Sequence, residues 1–114
     1  MANAFLCETD TAVGTSAATI YTCPADTETT IIGLSIANIV TSQITVDVKL
    51  NGAGRTSGAV DDVHLVKAAP IPVGGSLVVV GGDQKVVMEP GDTLTVESDT
   101  ASSADVVLSH LDIT

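Results

Sequence analysis

The residues that could do chemistry are few: two histidines, two cysteines and a scatter of aspartates. His64 follows Asp61-Asp62, and His110 stands two residues before Asp112. An imidazole beside a carboxylate is the start of a metal site or of a base held by its orienting acid. A metal centre needs three or four such groups converging, and the ligand count here falls short. Both histidines lie in predicted strands and read as solvent-facing. Ser16, Ser35, Ser76 and Ser109 have no nucleophile-elbow context. Gly81-Gly82-Asp83 opens no helix and is not followed by Lys-Ser or Lys-Thr, so it reads as a hairpin turn and not as a phosphate cradle. Asp61, Asp62, Asp83, Asp92 and Asp99 fall in predicted loops. They could meet at one end of a domain around calcium, but no EF-hand spacing is present, and loop aspartates commonly satisfy turn backbone. Cys7 and Cys23 have no metal spacing, and a reducing compartment favours free thiols. The expectation is a chain with no catalytic residues and no cofactor.

Composition narrows the classes further. The chain has 114 residues, which is one domain's worth, and can bury a core without metal or disulfide help. Fourteen acidic residues against four basic ones give a net charge of −10. Phosphate backbones and anionic membranes are therefore disfavoured partners, so neither nucleic acid nor membrane is expected. The first ten residues lack the basic start and long apolar run of a signal peptide. No stretch approaches the roughly 20 apolar residues that span a bilayer. Hydrophobic residues make up 45% of the chain and charged ones only 16%. A small domain this apolar has more greasy surface than one core hides, which points to a homo-oligomer or an assembly component.

The elements that would position these groups are strands. Residues 1–14 carry little pattern and read as an N-terminal arm, with Phe5 and Leu6 as its anchors; residues 15–114 read as one domain. A first strand at 16–23 ends at Pro24. Over 29–40, Ile32, Leu34 and Ile36 alternate with Gly33, Ser35 and Ala37, a small-residue face that permits close approach of another sheet or subunit. Over 44–50, Ile44, Val46, Val48 and Leu50 face one way and Thr45, Asp47 and Lys49 the other. Asn51-Gly52 begins a glycine-rich mobile loop to residue 59. A strand over 63–69 leads into Pro70-Ile71-Pro72, which must be an edge or a crossover. Gly74-Gly75 and the 81–83 turn bracket a strand at 76–80, and another follows at 85–88. Pro90-Gly91 suits the centre of a type II turn. Leu94 and Val96 face inward on 93–98. On the last strand, 106–113, Val107, Leu111 and Ile113 share one side, and His110 and Asp112 the other. The sum is an all-β, antiparallel sandwich of about eight strands, Ig-like or jelly-roll. Lys67 and Lys85 flank the glycine-rich centre as contacts for a partner's carboxylates or as guards of an edge.

Several stretches together resemble a family of small virion structural proteins of tailed bacteriophages, cyanophages in particular. They are Tyr21-Thr22-Cys23-Pro24-Ala25, the small-residue alternation over 31–38, and Val66-Lys67-Ala68-Ala69-Pro70-Ile71-Pro72. The Gly-Gly-Asp-Gln-Lys and Pro-Gly-Asp-Thr-Leu turns and the Ala-Asp-Val-Val-Leu-Ser ending complete the set. The resemblance covers most of the chain after about residue 15. It implies a β-sandwich accessory component without catalytic residues, and the acidic charge, with little affinity for a packaged genome, favours the particle exterior. Its expected role is capsid decoration or cement, bound to the major capsid protein or other virion proteins. The alternative is a tail, neck or fibre-associated protein or a host adhesin. The contacts expected to carry assembly are Phe5, Leu6, Lys67, Pro70, Ile71, Pro72 and Lys85.

Overall fold

The computed structural model describes residues 3–52 and 62–114. The expected mobile loop therefore lies, beyond Gly52, outside the described residues, as does Asp61. Nine strands form: β1 Asn3–Val13, β2 Ala18–Thr22, β3 Glu28–Asn38, β4 Ile44–Asn51, β5 Asp62–Ile71, β6 Ser76–Val80, β7 Val86–Met88, β8 Thr93–Ser98 and β9 Ala104–Ile113. One sheet runs β1-β9-β3-β6, with β7 also on β3; the other runs β2-β8-β4-β5. All pairings are antiparallel. The pairs β1–β9, β2–β8, β3–β6/β7 and β4–β5 nest inside one another, like one long hairpin rolled up so that successive pairs fall in alternate sheets. That is the jelly-roll form of the expected sandwich.

Alternation sets the buried side where one apolar phase exists. Ile44, Val46 and Val48 are buried, as are Leu94 and Val96, and they meet Leu34, Ile36, Val106 and Leu108 across the sandwich core. Pro90-Gly91 makes the expected turn: Gly91 has φ +89°, and the Asp92 amide donates to the Glu89 carbonyl at 3.0 Å. A Cβ on Gly91 would meet nothing within 4 Å, so only the backbone resists substitution. Gly91→Ala is expected to lower stability by about 1–2 kcal/mol, the cost of a left-handed L-residue, in a calorimetric melt. An unchanged transition would mean that the turn changes type freely.

Three expectations are corrected. The stretch read as an arm is a strand of the sandwich, since β1 pairs with β9 from Asn3 to Val13. On β3 the register slips between Ile31 and Gly33, so Ile31 is fully buried and Ile32 only half-buried. On β9 the phase is reversed. Val106, Leu108, His110 and Asp112 are buried and Val107 is exposed, so His110 is a core residue and not a solvent-facing one.

The sheet edges share a feature. In β1 the register shifts between Asp10 and Val13; Ala12 is left-handed (φ 56°) and its amide donates to Asp105 on β9 at 3.1 Å. In β5 Ala68 is left-handed (φ 51°) and its amide donates to Asp47 on β4 at 2.6 Å. The edge strand β2 has a shift between Thr19 and Tyr21. The fourth edge is divided into β6 and β7 by a turn in which the Gln84 amide donates to the Gly81 carbonyl at 3.2 Å. Each edge is thus bent or broken, the usual defence of an open edge against strand addition.

Candidate functional site

Two features stand out once the strands are placed: a polar cluster inside the sandwich and an uncharged face outside it. The cluster centres on His110, which is fully buried. Its Nδ1 lies 2.8 Å from Asp112 Oδ1 and its Nε2 3.0 Å from Glu8 Oε2 on β1. An ionised carboxylate only accepts, so an imidazole with one on each nitrogen forms both bonds only when both nitrogens carry protons. Asp112 also accepts from the Thr29 hydroxyl at 2.8 Å and from the Tyr21 hydroxyl at 2.5 Å. The Tyr21 and His110 rings lie 4.1 Å apart between centroids. Tyr21 comes from β2, so the cluster ties the four-stranded sheet to β1, β3 and β9 of the other.

The environment sets the protonation of its members. Burial would push the Asp112 carboxyl up, but the hydrogen bonds from Tyr21, Thr29 and His110 outweigh it and hold it below the usual carboxylate range. Burial, helped by the bond to Asp112, raises the Tyr21 phenol well above its ordinary value. Burial also raises the Cys23 thiol, which sits within reach of the Thr27 carbonyl at 3.2 Å and the Thr29 hydroxyl at 3.4 Å. A thiol pushed that way is a packed side chain and not an activated nucleophile. The His110–Asp112 pair has the geometry of a base and its orienter, yet the outer nitrogen is taken by Glu8. A hollow of about 650 Å³ is lined by Asp26, Thr27, Glu28, Val87, Glu89 and Pro90 with the 113–114 segment and includes no member of the cluster.

Among the described residues, no three His, Cys, Asp or Glu side chains gather as metal ligands would. His64 is exposed on β5, paired with Lys49. Asp99 is exposed and caps the Thr45 amide. Cys7 is exposed and Cys23 buried, both free thiols. The expected contact residues do not make one patch. Phe5 and Leu6 are exposed on β1, which lies beside β2. Lys67, Pro70 and Pro72 are exposed along and just after β5, on the other side of the sandwich beside β6. Lys85 is exposed at the β6–β7 edge, where its ammonium donates to the Gly82 carbonyl. Ile71 is fully buried in the core, so it is withdrawn as a contact: the strand that holds Pro70 at the edge turns the next side chain inward.

What sequence reasoning missed is the outer face of the five-stranded sheet as a whole. Cross-strand pairing assembles it in rows. Phe5, Leu111, Thr30 and Val87 form one row; Cys7, Ser109 and Gly33 form the next; Thr9, Val107, Ser35 and Val78 form the third. Phe5 is 77% exposed, Val78 65% and Val87 54%. Between the valine ridges, Gly33, Ser35 and Ser109 leave a shallow hollow of about 190 Å³. Charge enters only in the rows that flank these three, at Glu28 opposite Ile113 and at Asp105 opposite Ala37, among the described residues. The opposite sheet contrasts: its outward positions include Glu97, Asp47, Lys49 and His64. The signal for the apolar face was the double-phase hydrophobicity of β9, where valine and leucine occupy both sides.

The fold and these two features define a jelly-roll sandwich. No family model matches the chain, and no curated protein matches it. Among solved structures it is similar to a chain of the Bacillus endospore appendages, described as a novel family of disulfide-linked pili. The TM-score is 0.54 at 20% identity, over 99% of this chain and 87% of that one. At that identity the likeness shows a shared fold.

Proposed function

We propose that this chain is a non-enzymatic structural subunit of a larger protein assembly and that it serves as a capsid-decorating protein on the exterior of a tailed-phage particle. The observation that carries the reading is the uncharged outer face of the five-stranded sheet, where Phe5, Val78, Val87, Val107 and Leu111 stand among small hydroxyl residues, on a chain of net charge −10. An uncharged, valine-rich face on an otherwise acidic domain supports a contact role. The acidic remainder keeps the subunit away from packaged nucleic acid, which favours the outside of a shell. The resemblance to virion accessory proteins supplies the capsid. The likeness to a pilus chain favours a second reading, a subunit of a tail, neck or other appendage.

Copy number distinguishes them. Quantitative mass spectrometry of purified particles is expected to find the chain in hundreds of copies. Tens or fewer per particle would move it to the tail or neck. Its absence from purified particles and appendages alike would sink the structural reading.

A further inference from the structure

We propose that the outer face of the five-stranded sheet docks a second copy of this chain, sheet against sheet about a twofold axis. The inference rests on the structural-subunit reading and names the partner of that surface.

Electrostatics select the partner. A net charge of −10 makes two copies repel through most approaches. The rows from Phe5 to Val87 and from Thr9 to Val78 carry no charge, so face-to-face docking centred there keeps Glu28 and Asp105 at the rim of the contact and points Asp47, Lys49 and Glu97 of each copy away from the other. Shape agrees. A twofold contact uses one surface against itself, so that surface must hold both a ridge and a recess. Val78 and Val107 are the ridge, and the hollow over Gly33, Ser35 and Ser109 is the recess. Sheets packed this way sit about 10 Å apart with strands about 30° askew.

Area agrees as well. Four strands at about 4.8 Å spacing, and about 3.4 Å per residue along β9, give a face of about 650 Å². Two such faces total about 1,300 Å², just inside the roughly 1,200–2,000 Å² of stable interfaces. The edges are the competing route, and all four are bent or broken as described above.

The test is sedimentation velocity on the full chain across concentration, with native alkylation of Cys7 as the local probe. Cys7 lies in the middle row and Cys23 is buried, so alkylation of the folded chain reads this face alone. The expected result is a dimer at tens of micromolar and Cys7 alkylation that slows several-fold as concentration rises. Val78→Asp should raise the dissociation constant at least tenfold and abolish the concentration dependence of alkylation. Val78 is 65% exposed, so the substitution leaves the fold intact, checked by an unchanged thermal transition. A wild-type chain monomeric to about 200 µM overturns the proposal, as does a dimer indifferent to Val78→Asp. If such a monomer still occurs at high copy on particles, the structural reading stands without the dimer. If Val78→Asp instead releases a monomer from particles, the face belongs to the shell protein. A dimer that behaves as expected but is absent from every particle leaves the docking in place and removes the decorating role.

Discussion

Replacing Asp112 by alanine is expected to cost about 3–5 kcal/mol of folding stability, the range seen when one partner of a buried ionic group is removed. The carboxylate accepts from Tyr21, Thr29 and His110. Its loss removes the shared acceptor of three donors, of which Thr29 keeps the Cys23 sulfur within reach, and an unmade buried bond costs more than a made one contributes. For a domain whose total stability is of order 5–15 kcal/mol, the thermal midpoint should fall by more than about 10 °C. Asp112→Asn keeps one carbonyl acceptor and should lose less. The pH dependence follows from the sign of the shift. Asp112 titrates lower folded than unfolded, so its contribution is complete above the unfolded aspartate value of about 3.9 and fades as pH falls through the depressed folded value. The gap between wild type and Asp112→Ala in urea melts should therefore be widest near neutrality and narrow in acid. A gap below about 1 kcal/mol at neutral pH would show that water replaces the carboxylate.

Leu108→Ala is expected to cost about 2–5 kcal/mol, while Val107→Ala, one residue away, should stay within about 0.5 kcal/mol. Leu108 is fully buried, paired with Leu34 in the centre of the sheet. Val107 is 44% exposed on the outer face. A one-residue slip of β9 would exchange the two outcomes and carry His110 into solvent. Equilibrium unfolding of both variants decides between the two phases; equal losses would contradict the burial of Leu108 and the exposure of Val107 together.

That pair also marks how far the sequence was legible. In β4 and β8 the apolar residues keep a single phase against threonine, aspartate and lysine, and the buried face could be read directly. The type II turn at Pro90-Gly91 was legible because its two residues supply the two backbone angles it needs. β9 was not, because valine and leucine occupy both phases and the inward phase carries a histidine and an aspartate. Burying them depends on Tyr21, Thr29 and Glu8, which are distant in sequence and meet only after folding. The His-x-Asp spacing on one strand face was the available signal, and its pull toward solvent was misread. β1 was illegible for a related reason: its inward phase offers Glu8, whose value lies in one bond to His110 and not in apolar area. The slip on β3 leaves no mark in a run of consecutive isoleucines. The outward turn of Gly33, Ser35 and Ala37 could be read, but the rows that join them to Phe5 and Val78 depend on strand order, which alternation does not encode.

The pairing of β1 with β9 has a mechanical consequence. Asn3 stands opposite Ile113, so the two ends of the described chain leave the same end of one antiparallel ladder. Tension applied there would not load the ladder in parallel. It would peel β1 away one bond at a time, with the Glu8–His110 contact as the first strong point met along the strand. Force entering through the broad sheet face would instead spread over β1, β9, β3 and β6 together. A domain with this strand order would withstand load through its faces and yield through its ends.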